Sequence, residues 1–569
     1  MASRLTTLIV VLIVAGTLIA GLIVGAQRDD LSGPIDIIIT NAKIYTGSAD
    51  EFAEALAIRG NKILVVGSNR AVKRLRRPQT IALDAHGATV LPGFNDAHAR
   101  LLDGGLTLTD VDLSSADTLE GIETTLKNFA ATHTDATWIR GRGWTDEAFE
   151  GGAPTRAQLD AIVSDRPVYL VSSDGRSGWA NTRALQLAGI TPRSKNPAGG
   201  TIVKDARTGQ PTGVLKEAAQ DMVRAVMPAA SPDQRAAALR TAIREAQRLG
   251  ITSVQHAGAT PDELSLYDDL RKSGELQLRL YANLSMPAHT GDPSALDAVR
   301  ARYPDDPVLK AGAAVLAVDD PLASENVPTL QTWTERPEPV YSPAELTHTV
   351  SVLDGRGWQV IINAMSDDAV RQSLDAYEQA ARTNKAPARG RRHRIERMAA
   401  IDPADLPRFQ PLGLIASEQP SAIVLGPRST PTEAPADDRA TRIWPLQSLL
   451  QAGARLAFGS GWPDAPLDPR IGIDAAVTRV DAADSTVTAA PSAERLALTA
   501  AIDAYTSGAA YASFDEHRKG TLARNMLADV VILSSDIFAP DARLLDAVVD
   551  TTIFDGRIVY TRTPARATD

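Results

Sequence analysis

The chain has 569 residues, a formal charge of −10, no cysteine, eight histidines, 40 glycines and 35 prolines. Zero cysteine excludes a disulfide scaffold, a Cys-ligated zinc or iron–sulfur site and a thiol nucleophile, so any catalytic metal has to be held by histidine, carboxylate or a modified lysine. With 44% apolar and 22% charged residues the composition is that of a globular protein, and its acidity, relieved only by short basic clusters at residues 73–77 and 389–394, argues against nucleic acid as a partner.

In chain order, residues 5–26 carry no charge and are dominated by Leu, Ile, Val, Ala and Gly. As a helix they would extend about 33 Å, enough for a hydrocarbon core about 30 Å thick. Residues 1–30 are therefore expected to form an N-terminal transmembrane helix, with a cleaved signal segment as the alternative. The expected location is the cell membrane, single-pass, with the main body outside the cytoplasm. Short apolar runs bounded by turn residues follow (Asp36 to Thr40, Lys43 to Thr46, Ala55 to Ile58, Lys62 to Gly67, Thr80 to Asp84) and read as strands. The middle alternates helix-period segments, such as Ser231 to Leu249, with short apolar strands such as Ile251 to Val254 and Gln359 to Ile362. That rhythm predicts βα units and, at this length, an α/β (β/α)8 TIM barrel. The end returns to β-like runs, Asp529 to Leu533, Ala547 to Val549 and Thr552 to Tyr560 around Asp555-Gly556. The predicted organisation is a small β-sandwich assembled from both chain ends, residues 34–91 and 511–563, around a barrel with insertions at residues 92–510.

An ordered set of strings resembles the amidohydrolase superfamily, and within it amidohydrolase family 3, the YtcJ-like metal-dependent hydrolases. It includes Leu91-Pro92-Gly93-Phe94-Asn95-Asp96-Ala97-His98, Gly141-Arg142-Gly143-Trp144, Gly178-Trp179-Ala180-Asn181 and Pro211-Thr212-Gly213-Val214-Leu215-Lys216-Glu217. Arg392-His393-Arg394-Ile395-Glu396, Phe458-Gly459-Ser460 and Trp462-Pro463 continue it. The resemblance covers almost the whole body. It implies a distorted (β/α)8 barrel with a β-sandwich from both termini, and hydrolysis of amide or other C–N bonds by a metal-activated water. The parts it implies are a His-x-His on the first strand, a carboxylated bridging lysine, later histidines and a proton-handling aspartate.

Position by position, the chain departs from that pattern. His98 matches the first histidine and Lys216 the lysine, but Arg100 holds the second histidine position, and a guanidinium has no lone pair to donate to a metal. Arg176 stands for an active-site histidine, Asn363 for a ligand histidine, Arg397 for another, and Gly461 for the aspartate. Asp96, Trp144, Trp179, Glu217 and His256 are further pocket candidates, His256 as a relocated ligand beside His98. The incoming arginines are expected to replace metal charge through salt bridges to groups such as Asp96, Asp174 or Glu217, with a pocket for a small anionic ligand as the alternative.

The resulting expectation is a membrane-anchored amidohydrolase-like protein that has lost its metal site and its catalysis, and acts as a binding or structural component. No cofactor is expected. The alternative is an active hydrolase of C–N bonds with one divalent metal such as zinc, or with a metal-independent site. Expected partners are the membrane through the N-terminal helix, and other membrane-complex subunits or a second copy of the chain.

Overall fold

The computed structural model describes residues 33–47, 52–149, 151–173, 175–319, 340–425, 443–480 and 492–563. The expected transmembrane segment, residues 1–30, lies outside the described residues. Among the described residues no helix is long and apolar enough to cross a membrane.

The described residues divide into two compact units, one made of those between 33 and 93 and between 515 and 563, the other of those between 94 and 514. The first is a pair of sheets. One has four strands in the order Lys62–Gly67, Ala55–Arg59, Ile37–Thr40, Ile81–Asp84. The other has six, Arg557–Thr561, Val549–Phe554, Val530–Leu533, Thr89–Pro92, Lys43–Tyr45 and Phe52–Ala53, so strands from the two chain ends pair directly where Val531 faces Leu91. Ile37, Ile39, Leu56 and Ile58 from one sheet share a core with Ile44, Val90, Val530, Ile532 and Ile553 from the other. That is the face-to-face packing of a sandwich, in which alternate residues of each strand point inward.

The second unit is built on eight parallel strands: β1 (Phe94–Ala99), β2 (Ile251–Ala259), β3 (Arg279–Ser285), β4 (Leu309–Ala317), β5 (Gln359–Asn363), β6 (Arg394–Glu396), β7 (Ile415–Glu418) and β8 (Arg455–Phe458). Each pairs in parallel with the next in chain order. The ring closes through strand-end hydrogen bonds between β1 and the segment after β8: Gly461 N to His98 O at 2.8 Å and Arg100 N to Trp462 O at 2.8 Å. Local signals set the crossovers. Ser231 caps helix Pro232–Arg248 in a capping box with Gln234, Pro232 occupies its first turn, and Gly250, at φ +80°, ends it and turns the chain into β2. Polar side chains at the lower strand ends meet one short helix, Ser507–Ala512: Gln255 Nε2 donates to Ala509 O at 2.8 Å and Gln359 Nε2 to Ala512 O at 2.9 Å. Because β2 and β5 lie across the ring from each other, this helix closes the N-terminal end of the barrel.

Between β1 and β2 the chain inserts a six-stranded sheet, ordered Gly200–Lys204, Pro211–Glu217, Ser177–Ala180, Val168–Ser172, Ile139–Trp144 and Val111–Asp112. A hydrophobic core packs on each of its faces. Leu170, Trp144 and Trp179 lie in one core, and the alternate residues Tyr169 and Ala180 in another.

Candidate functional site

On β1 the ladder to β2 is irregular: Val254 is opposite Asp96 and His256 opposite Ala99, so β1 carries an extra residue. Such a bulge re-aims a side chain. Here Ala97 packs inward with Ile415 and Ala457, and the next residue, His98, also turns into the barrel to meet Glu396. Asp96 is fully buried and ties β1 to the segment after β8, its Oδ1 accepting from His98 N at 2.9 Å and Ser460 N at 3.0 Å. Gly459 makes this approach feasible, since a Cβ there would sit 2.4 Å from His98 N and 2.9 Å from Asp96 Oδ1. Burial lifts the Asp96 carboxyl to about 6 in spite of the donors from Ser460 and His98.

Below His98 runs a buried ionic network. His98 Nδ1 lies 2.7 Å from Glu396 Oε2. The other Glu396 oxygen accepts from Arg394 Nη2 at 2.6 Å and Ser417 Oγ at 2.8 Å. Arg394, with no exposed surface, also donates to Gln255 Oε1 at 2.5 Å and Ala97 O at 2.9 Å. Burial pushes the Glu396 carboxyl upward, but Arg394 and then His98 outweigh it and hold the group down at about 2. An ionised Glu396 is an acceptor only, so the facing Nδ1 of His98 carries a proton and donates it.

The sequence candidates fall into three places. Arg100 lies on the rim, where its Nη2 is 2.9 Å from Asp464 Oδ1 and its Nε 3.5 Å from Asp103, not on buried Asp96. Gly461, in the segment after β8 with φ +76°, leaves room beside Gln419, its would-be Cβ 3.5 Å from that side chain. Asn363 ends β5, and Arg397 follows β6 at φ +64° with its N–H bonded to Ser417 O. These residues gather at the C-terminal end of the barrel.

The second group lies in the inserted sheet. Lys216 is exposed on the Pro211–Glu217 strand opposite Ser177, away from the barrel strands. Arg176 Nε pairs with Glu217 Oε1 at 3.3 Å, both partly exposed. Asp174 lies outside the described residues. Trp144 and Trp179 are core residues of this sheet instead of pocket walls, set edge to face at 6.2 Å with Phe149 against both. Each indole N–H is spent on a backbone carbonyl, Leu170 O and Thr155 O.

His256 stands apart. Its neighbour Gln255 faces into the barrel, so strand alternation turns His256 outward. Its Nδ1 lies 2.9 Å from Tyr267 Oη on the flanking helix Pro261–Lys272 and accepts from Leu101 N at 3.4 Å. Burial pushes the ring down to about 4 against the pull of Glu263, so it is a neutral wall residue and not a ligand beside His98.

Among the described residues, no group of three or more His, Asp or Glu side chains is placed to hold a metal ion. The donor chemistry explains this. Arg100, Arg397 and Gly461 offer no side-chain lone pair suited to a metal, Lys216 sits in another sheet, and Glu396 is spent on Arg394, Ser417 and His98. The residues present do not fit the divalent site that the resemblance implies. Arg394, Glu396 and Gln255 were missed as site residues; the one sequence signal was the Arg394-Ile395-Glu396 alternation, which sets two opposite charges on one strand face.

A family model described as the amidohydrolase family matches residues 82–560. Protein LONG AFTER FAR-RED 3 of Arabidopsis thaliana is 31% identical over 543 residues, covering 92% of this chain and 91% of that protein. YtcJ of Bacillus subtilis (strain 168) is 28% identical over 526 residues, covering 89% and 96%. The crystal structure of an uncharacterized metal-dependent hydrolase from Pyrococcus furiosus superposes with a TM-score of 0.68 at 24% identity, covering 88% of this chain and 98% of that one. This last likeness is one of fold.

Proposed function

The chain belongs to the amidohydrolase family, and from that premise we propose that it is a non-catalytic member, held at the membrane by residues 5–26 with its body outside the cytoplasm, which keeps the barrel as a binding site. One observation carries the proposal. Of the positions at which the resemblance calls for metal ligands on the barrel strands, His98 is the one that keeps a ligand-type side chain, its Nδ1 held by Glu396, and one imidazole nitrogen is too small a donor set for a divalent ion. Arg100, Asn363, Arg397 and Gly461 hold the positions at which the family resemblance calls for ligands and a base. A water nucleophile activated by a metal at this site would lack both its cation and the carboxylate that takes its proton.

The test is metal analysis of the full chain in detergent after dialysis, beside an amidase assay. The expected result is well below one equivalent of zinc, manganese, nickel or iron per chain, and no turnover. Combined replacement of Arg100, Asn363 and Arg397 by His and of Gly461 by Asp is expected to raise metal uptake. About one equivalent of firmly held metal with chelator-sensitive hydrolysis in the parent protein would sink the proposal. Hydrolysis that survives chelation would favour a metal-independent hydrolase instead.

A further inference from the structure

The basic run around residues 70–77 has no part in the barrel. It belongs to the sandwich unit, where helix Asn69–Lys73 covers the outer side of the four-stranded sheet. Val72 is fully buried in a core with Ile35, Ile38, Ala55 and Leu64, and Leu75 packs beside it. With those two side chains turned down, Arg70, Lys73, Arg74, Arg76 and Arg77 are left exposed. Among the described residues none of the five is paired with a carboxylate: Lys73 Nζ donates to Asn41 Oδ1 at 3.2 Å, and Arg77 Nη1 donates to the carbonyls of Arg74 and Arg76. The carboxylates of this sheet have other donors. Asp84 accepts from Asn41 Nδ2 at 2.7 Å and His86 N at 2.9 Å, Glu54 from Asn69 N at 2.9 Å, and Asp36 from Gly60 N at 2.6 Å. Residues 54–84 hold seven Lys and Arg against Glu54 and Asp84, in a chain whose net charge is −10. A cationic field on one face of an acidic protein selects an anionic surface.

The same face lies where the chain enters the fold. Thr80 Oγ1 donates to Ile35 O at 2.8 Å and Ile81 N to Asp36 O at 2.8 Å, so the turn from Arg77 to Thr80 sits directly on the first described residues. Gly33 follows residue 26, the end of the expected span, by seven residues, which is at most about 25 Å of chain. Lipid headgroups occupy about 5–7 Å of that distance. Ile81, 50% exposed on the edge strand Ile81–Asp84, adds an apolar side chain beside the turn. Resting on the membrane-held reading above, we propose that this face of the sandwich lies on acidic phospholipids of the membrane that carries the chain. The guanidinium groups bind phosphodiester oxygens, and Ile81 reaches headgroup level. Neutral lipids offer the phosphates without the negative surface potential that draws Lys and Arg. The acidic remainder of the chain is repelled by the same surface, so contact is confined to this face and holds the sandwich in one orientation.

Because the chain has no cysteine, Gln79→Cys at an exposed position of the turn takes a single fluorescent donor. The full chain is reconstituted into vesicles of phosphatidylcholine, alone or with about one-third phosphatidylglycerol, that carry an acceptor on their headgroups. Energy transfer is expected to be at least twofold higher in the acidic vesicles. It is expected to drop to the neutral-vesicle level when salt rises from about 0.1 M to about 0.5 M, and in a variant with Arg70, Lys73, Arg74 and Arg76 all replaced by Ser. The lipid and salt comparisons need no charge variant, so they decide the matter even if that variant misfolds. Equal transfer in the two lipids, or transfer unmoved by salt, overturns the inference. Transfer that follows the number of chains per vesicle instead of lipid charge assigns the face to a second copy and overturns it as well. Extraction with alkaline carbonate separates the inference from the reading it rests on. A chain that resists extraction but shows lipid-independent transfer refutes only the inference. A chain that carbonate strips off, yet that binds acidic vesicles at least tenfold better than neutral ones through those four side chains, refutes only the anchor.

Discussion

Replacing Glu396 by Gln keeps the shape of the side chain and removes its charge, which isolates what the buried ion pair contributes. In the parent, one Glu396 oxygen takes Arg394 and Ser417 and the other faces His98 Nδ1 at 2.7 Å. The amide can still accept from Arg394, but it presents N–H to N–H at His98 and leaves the fully buried guanidinium without a counter-charge. Breaking one side of a buried pair costs about 3–5 kcal/mol. An independent route gives a similar size: Glu396 is held at about 2 against an ordinary 4.5, and at 1.36 kcal/mol per pH unit that gap is worth about 3 kcal/mol. The sign follows from the direction. A depressed carboxyl stabilises the fold fully above about pH 4.5, and the contribution drains away as the pH falls toward 2. Urea unfolding of the barrel, followed by tryptophan fluorescence at pH 7 and again between pH 5 and 3, should show Glu396→Gln destabilised by about 3 kcal/mol at pH 7, with the difference narrowing as acid protonates the parent. The double variant Arg394→Met with Glu396→Leu should recover much of the loss, because neither buried charge then remains. A Glu396→Gln protein within 1 kcal/mol of the parent at pH 7, or a difference that does not change with pH, would refute the reasoning.

Two further predictions concern the seam between β1 and β8. Burial lifts Asp96 to about 6, so its folded form retains a proton that the unfolded chain releases, and stability falls as the pH rises from about 4 to 6. Asp96→Asn, whose Oδ1 can still accept the two amides, should lose that slope and be at least as stable as the parent at pH 8; a destabilisation above 2 kcal/mol there would show that the charge is needed. Gly459→Ala drives a Cβ to 2.4 Å from backbone and should cost about 2–3 kcal/mol, against about 1 kcal/mol for Gly461→Ala, where only the positive φ is strained. Equal melting shifts for the two variants would contradict the close-approach argument.

Much of the architecture can be read in the sequence because its punctuation is local. Ser231, Pro232 and Gly250 bound one helix, Asp555-Gly556 marks the last hairpin, and the short apolar runs at residues 37–40 and 530–533 mark sandwich strands. The inserted sheet is harder to see, since the strand Ile139–Trp144 holds two glycines, and Gly143, at φ +99°, lies against Ser114 where a side chain would clash. The site is legible only as a set of chain positions. Whether Gln255 or His256 faces inward is a matter of parity, and the extra residue in β1 that aims His98 is set by pairing with a strand some 150 residues away.

The helix Ser507–Ala512, which closes the foot of the barrel, separates the electrostatics of the molecule into two compartments. Arg394 sits just above it beside Gln255 and Ala97 O, with no exposed surface, so the pair it makes with Glu396 is screened much less by salt than an exposed pair. Arg100 and Asp464, on the rim, are about one-third exposed and lie within reach of the ionic atmosphere, where screening acts over about 10 Å at 0.1 M salt. Ionic strength therefore acts chiefly on the entrance to the barrel, while the buried pair beneath it responds first to pH, through the carboxyl of Glu396.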